Sequence, residues 1–97
     1  MSEIEITVKT IYSFEKYLGG KKSQKILLKS DSTVMDIIDI LTSVYGKTLR
    51  DKLIQDGRPA RGMVYLLNGR TIMALDGLET KVDDGDEFIV MPPVGGG

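Results

Sequence analysis

The chain has 97 residues and a formal net charge of −1, with 41% apolar and 28% charged residues. These values are typical of one folded globular domain and argue against a disordered chain. The sequence contains no Cys and no His, which excludes disulfides, thiolate nucleophiles and Cys-type zinc sites and removes the most common general base. We therefore expect no conventional catalytic cluster, and no metal or cofactor bound by the chain itself.

The N-terminal ten residues alternate apolar and polar side chains, which is typical of a strand and not of a secretory signal. No apolar run approaches the roughly 20 residues that cross a bilayer. We expect a cytoplasmic protein with no membrane partner.

Four lysines cluster at Lys21, Lys22, Lys25 and Lys29, beside a glycine pair. A phosphate-binding patch is one interpretation, but such a run more often forms a solvated hairpin tip or a charged strand edge. We expect no nucleic-acid partner.

The first half of the chain predicts two strands and a helix. Ile4, Ile6 and Val8 alternate with polar residues in a first strand, and a long connection leads to a second strand at Gln24–Lys29. Thr33 is the best helix N-cap, with Asp36 placed to complete a capping box. The apolar stripe from Val34 to Tyr45 predicts one amphipathic helix that ends at Gly46.

The second half predicts a short helical turn at Thr48–Ile54, with Leu49 and Leu53 inward, a loop over Gln55–Gly62, and then more strands. The strand Met63–Leu67 ends at the turn signal Asn68-Gly69, and Thr71–Ala74 predicts a short return strand. Turns follow at residues 75–78 and 83–86. The last strand, Glu87–Met91, ends at Pro92-Pro93, which cannot continue a ladder.

This order of elements predicts an α+β fold with one main helix across one face of a sheet of about five strands. Parallel pairing of the first and last strands at the centre would give the β-grasp arrangement. We expect a domain over residues 1–91 and an extended C-terminal tail over residues 92–97.

The tail, Pro92-Pro93-Val94-Gly95-Gly96-Gly97, is the least ordinary stretch of the sequence. Two prolines favour an extended exit, and the last three residues have no side chains. Such a tail is thin enough to enter a narrow channel in a partner and present a carboxylate without a crowding Cβ. A frayed terminus is the alternative interpretation.

Four stretches resemble the MoaD/ThiS family of ubiquitin-like sulfur carriers, which have a β-grasp fold. They are residues 64–69 (VYLLNG), 75–80 (LDGLET), 82–88 (VDDGDEF) and 91–97 (MPPVGGG). The resemblance implies that an E1-like enzyme of the MoeB type adenylates the carboxylate of Gly97 with ATP, and that sulfur then replaces the adenylate. It also implies that Gly96 and Gly95 form the thin tail, and that Val94, Pro93 and Pro92 direct it. In the molybdopterin branch the tail enters a large synthase subunit of the MoaE type and donates sulfur to a pterin precursor.

A docking face for partners is predicted on the last strand, which is apolar on both faces. If Phe88 and Val90 face the core, Ile89 and Met91 face outward and form an apolar patch. We expect Tyr65 and Leu67 of the neighbouring strand to join it, although a one-residue shift would exchange the two faces of that strand. The alternative is that a loop or the second helix covers the patch.

Four functions remain open from the sequence. The leading hypothesis is a sulfur carrier that is the small subunit of molybdopterin synthase, a substrate protein and not an enzyme on its own. The others are a ubiquitin-like modifier joined through Gly97 to lysines, of the small archaeal modifier or ubiquitin-related modifier type, a thiamin-pathway carrier, and a β-grasp interaction domain with an inert tail.

Overall fold

The computed structural model describes residues 2–93 and contains two α-helices and seven strands. The helices are α1 (Val34–Tyr45) and α2 (Lys47–Leu53). The strands are β1 (Glu3–Thr10), β2 (Ser23–Lys29), β3 (Ile54–Gln55), β4 (Arg58–Pro59), β5 (Val64–Leu67), β6 (Arg70–Thr71) and β7 (Glu87–Met91).

Five strands form the main sheet in the order β2-β1-β7-β5-β6. The first and last strands, β1 and β7, are parallel neighbours at its centre, while β2, β5 and β6 add antiparallel pairs. The main helix packs on one face of this sheet. The predicted β-grasp fold, with its central parallel pair, is therefore confirmed.

The α1 helix begins where the sequence predicts it. The side chain of Thr33 accepts a hydrogen bond from the Asp36 backbone N–H, and the Thr33 backbone N–H donates to the Asp36 carboxylate over 2.8 Å. This capping box satisfies two otherwise free backbone donors. Gly46 follows the helix with a φ of 99°, a conformation that glycine adopts at little cost.

The core lies between α1 and the inner face of the sheet. It is built from the alternate residues of the strands and the apolar stripe of the helix, and α2 contributes two further leucines. Its least exposed members include Ile6, Val8, Val34, Ile37, Ile38, Leu41, Leu49, Leu53, Tyr65, Phe88 and Val90.

Two predicted segments differ in detail. The Thr71–Ala74 segment is a strand only over Arg70–Thr71 and then forms a 3₁₀ turn over Ile72–Ala74, which buries Ile72 in the core. The predicted loop over residues 55–62 includes most of a small β3–β4 hairpin, which begins one residue earlier at Ile54. Both are short pairings whose existence depends on tertiary contacts and not on local pattern.

Candidate functional site

The end of β7, where the tail begins, is paired with a neighbouring strand on each side. It lies between β1 and β5, and the hydroxyl of the buried Thr10 donates a hydrogen bond to the Val90 carbonyl over 3.0 Å. The next residues are Pro92 and Pro93, which the structure describes, whereas the predicted site residues Val94, Gly95, Gly96 and Gly97 lie outside the described residues. The sheet therefore fixes the position and direction from which the tail starts.

Gly62 allows the chain to pass closely beside the start of the tail. It has a φ of +83°, and a Cβ added there would lie 3.1 Å from the Pro93 Cβ and 3.2 Å from its Cγ. A side chain at this position would be strained and would also press on Pro93. The sequence shows Gly62 only as a loop glycine, and no local signal links it to the tail.

The outer strip is the apolar patch on the face of β5 and β7 that points away from the core, formed by Val64, Leu66, Ile89 and Met91. Their register places Val64 opposite Met91 and Leu66 opposite Ile89, so the four side chains share one face. Val64 is 40% exposed, and the other three are half-buried. The prediction that Ile89 and Met91 face away from the core is confirmed, because Phe88 and Val90 are fully buried on the other side.

The prediction that Tyr65 and Leu67 join this outer face is wrong. Tyr65 is 1% and Leu67 6% exposed, because Leu67 pairs with Phe88 and Tyr65 with Val90, on the inner face. The neighbouring positions Val64 and Leu66 take the outer face instead. All four side chains of β5 are apolar, so their alternation carries no information about which face is buried, and only the pairing with β7 decides it.

Tyr65 has a structural role. Its hydroxyl donates a hydrogen bond to the Leu53 carbonyl over 2.6 Å, and its ring lies 5.7 Å from the ring of Phe88. Burial raises the pKa of Tyr65 well above its ordinary value, because the charged phenolate would be poorly solvated there. Tyr65 thus ties β5 to the end of α2.

The outer strip has a charged border. Lys9 of β1 lies opposite Ile89, and its ammonium contacts the Glu87 carboxylate over 2.7 Å. An apolar centre with a charged rim is the usual anatomy of a protein–protein interface.

The tail groove is a cavity of about 560 Å³ beside the start of the tail. Pro92 and Pro93 form one wall, and the connection after β1, the α2 helix and the segment after β4 form the others. Its aromatic, apolar and basic lining residues include Tyr12, Lys16, Tyr17, Lys52, Arg61 and Met63. The basic residues come from separate parts of the chain, so no sequence motif indicates this groove.

Within residues 2–93, no three His, Cys, Asp or Glu side chains are grouped as a metal site would require. In the same part of the chain no helix is long and apolar enough to span a bilayer.

Comparisons with known proteins identify relatives. A model of the ThiS family matches residues 11–97. Small archaeal modifier protein 3 of Haloferax volcanii is 36% identical over 94 residues, which cover 97% of this chain and 100% of that protein. A candidate sulfur carrier protein of Archaeoglobus fulgidus is 38% identical over 65 residues, which cover 67% of this chain and 74% of that protein.

A solved structure agrees with these sequence matches. The similar chain in the crystal structure of the Amycolatopsis orientalis BexX/CysO complex has a TM-score of 0.81 at 28% identity, and the match covers 95% of this chain and 99% of that one. Because the family model spans most of the sequence and the Haloferax relative aligns over its full length, the chain belongs to the ThiS/MoaD family of ubiquitin-like sulfur carriers and modifiers.

Proposed function

We propose that this chain is a carrier whose C-terminal carboxylate, at Gly97, is adenylated by an E1-like partner with ATP and then converted to a thiocarboxylate. The observation that carries the proposal is the position of β7, which leads from the outer strip directly to the Pro92-Pro93 start of the glycine-ended tail. One strand thus joins a surface suited to docking with the group to be activated.

The chemistry explains why the chain is proposed as a substrate and not as an enzyme. A carboxylate is a poor electrophile, but its oxygen can attack the α-phosphorus of ATP and release pyrophosphate. The resulting acyl-adenylate has a good leaving group, so a sulfur nucleophile can displace AMP at the carbonyl carbon. The sequence has no Gly-rich phosphate-binding motif, so we assign the ATP site to the partner and no cofactor to this chain.

The outer strip is the proposed docking surface for that partner. Its four apolar side chains would lose water on binding, which is the main favourable term in most protein associations. The relative in the BexX/CysO complex is itself bound to a second protein, which supports this kind of interaction. We propose that the reaction takes place in the cytoplasm, where ATP and the partner enzyme would both be available.

Two destinations of the activated tail each have support. The 36% identity to small archaeal modifier protein 3 over its full length favours joining of Gly97 to lysines of target proteins. The similarity to the candidate sulfur carrier of Archaeoglobus fulgidus favours sulfur donation. The resemblance of residues 91–97 to the MoaD/ThiS family makes a pterin precursor in a large synthase subunit the proposed acceptor, although Gly95 departs from the molybdopterin branch. Activation of Gly97 is the first step of both.

Mass spectrometry of the intact protein tests the shared step. After incubation with the host's E1-like enzyme, ATP and a sulfur source, we expect a species in which one terminal oxygen is replaced by sulfur. Deletion of Gly96 and Gly97 should abolish that species and leave the thermal midpoint unchanged. Recovery of the free carboxylate alone would contradict the proposal.

Two assays distinguish the two destinations of the activated tail. If the chain is a modifier, host lysate should contain high-mass adducts that disappear when Gly97 is deleted. If it is a sulfur donor, the thiocarboxylated protein should convert the pterin precursor when mixed with the large synthase subunit. Each assay gives a signal that the other destination does not produce.

A further inference from the structure

The tail groove concentrates positive charge in a protein whose net charge is −1. The ammonium of Lys16 lies 5.3 Å from the centre of the Tyr17 ring, and that of Lys52 lies 5.4 Å from the same centre. Two cations from different elements thus share one aromatic ring. Arg61 adds a third positive charge on the rim.

Among the described residues, the groove lining holds three basic residues and one acidic residue. Its one acidic lining residue, Asp51, contacts the Lys47 ammonium over 2.9 Å. Among the described residues, Lys16, Lys52 and Arg61 form no ion pair. A ring between two ammonium groups gains some cation–π energy, but it does not neutralise their mutual repulsion. An anionic group in the groove would relieve that repulsion.

The rest of the lining is suited to a polypeptide. Tyr12 is 58% exposed, and Met63 and Pro92 add half-buried apolar surface beside it. Beside its cations the groove therefore offers apolar surface, against which a side chain of a partner can pack. It also adjoins Pro92 and Pro93, so a protein that holds the tail must pass close to it.

We propose that the tail groove docks an acidic segment of the E1-like partner, with carboxylates against Lys16, Lys52 and Arg61 and an apolar side chain against Tyr12 and Met63. This inference rests on the proposed activation of Gly97. Complementary charge between two proteins raises their association rate and sets their relative orientation more than it increases their affinity. The groove would orient the tail toward the partner's nucleotide site, while the outer strip supplies most of the buried apolar area.

The test is charge reversal in the groove with a matched control. The double variant Lys16→Glu/Lys52→Glu changes the net charge by the same amount as Lys29→Glu/Arg70→Glu. The control residues lie outside the groove lining, on the two edge strands of the sheet, where Lys29 pairs with Glu3 and Arg70 pairs with Leu67. The reaction measured is carrier-dependent ATP–pyrophosphate exchange by the E1-like enzyme, at several salt concentrations.

We expect the groove variant to raise KM for the carrier by about tenfold or more with kcat retained, and to weaken its salt dependence. The control should stay within about twofold of the parent protein, because charges distant from the contact are screened. The neutral variant Lys16→Gln/Lys52→Gln should lie between them, and it carries the test if charge reversal prevents folding.

Four results separate the two proposals. An unchanged KM in both groove variants overturns the docking inference and leaves activation of Gly97 standing. An equal rise in the groove variant and the control also overturns it, because it shows a general charge effect. If RNA binds the groove and competes with the E1-like enzyme at physiological salt, the occupant is a phosphate and not an acidic segment. Absence of exchange with the parent protein contradicts the proposed function itself.

Discussion

The two faces of β5 and β7 are made from the same strands and are both apolar, yet they have different neighbours. On the inner face Phe88 and Val90 are fully buried against the helices. On the outer face Val64 is 40% exposed, and Leu66, Ile89 and Met91 are half-buried. Inner residues are buried completely by this chain, whereas outer residues keep exposed surface that another molecule can cover. The same side-chain chemistry thus contributes to stability on one face and to recognition on the other.

The largest expected effect is the removal of an inner aromatic ring. Phe88→Ala should lower the free energy of unfolding by about 3–5 kcal/mol, because it leaves a cavity beside Tyr65 in a packed core. Urea titration followed by circular dichroism measures this loss. The neighbouring Ile89→Ala, on the outer face, should cost less than about 1 kcal/mol. Equal losses for the two variants would show that the faces do not differ as described.

A charge on the outer strip should affect binding and not folding. Ile89→Asp should weaken binding to the E1-like partner by about tenfold to a hundredfold, because it places a carboxylate in the apolar centre of the contact. Isothermal titration calorimetry gives the affinity, and thermal unfolding checks the fold.

Val44→Asp is the matched control for Ile89→Asp. Val44 is an exposed apolar residue of α1, 66% accessible and away from the sheet surface. The same substitution there should leave partner affinity within about twofold. If Val44→Asp weakens binding as much as Ile89→Asp, the outer strip is not the docking surface.

The sequence predicts the local elements of the fold better than it predicts the surfaces proposed for recognition. The alternation of β1, the capping box at Thr33 and the glycine after α1 are local patterns, and the structure confirms them. The face of β5 is not a local property, because four consecutive apolar residues fit either orientation. The tail groove is harder to predict from the sequence, because Lys16, Lys52 and Arg61 lie together only in the folded chain. Gly62 likewise gains its role from its distance to Pro93.

A smaller effect is expected at the hydroxyl of Tyr65. Tyr65→Phe keeps the ring but leaves the Leu53 carbonyl without its 2.6 Å hydrogen bond, and the free energy of unfolding should fall by about 1–2 kcal/mol. A loss below the error of urea titration would mean that water replaces the hydroxyl at Leu53.

The contribution of the Tyr65 hydroxyl should also depend on pH. Burial raises the pKa of folded Tyr65 above the unfolded value of 10.0, so its stabilisation is complete below that value and decreases as pH rises beyond it. The difference in stability between the parent protein and Tyr65→Phe should therefore shrink in alkaline solution. A difference that stays constant up to the alkaline limit of reversible unfolding would show that Tyr65 titrates normally.

The smallest effect concerns the charged border of the outer strip. Lys9 and Glu87 form a 2.7 Å ion pair, but their side chains are 46% and 38% exposed, so water and salt screen the attraction. Lys9→Ala should lower the free energy of unfolding by about 0.2–1 kcal/mol at low salt, and by less at high salt. A double-mutant cycle with Glu87→Ala isolates the pair from other effects of each change. A coupling that is large and insensitive to salt would mean that the pair is shielded from solvent, and the outer face would then be less open than the exposures of its side chains indicate.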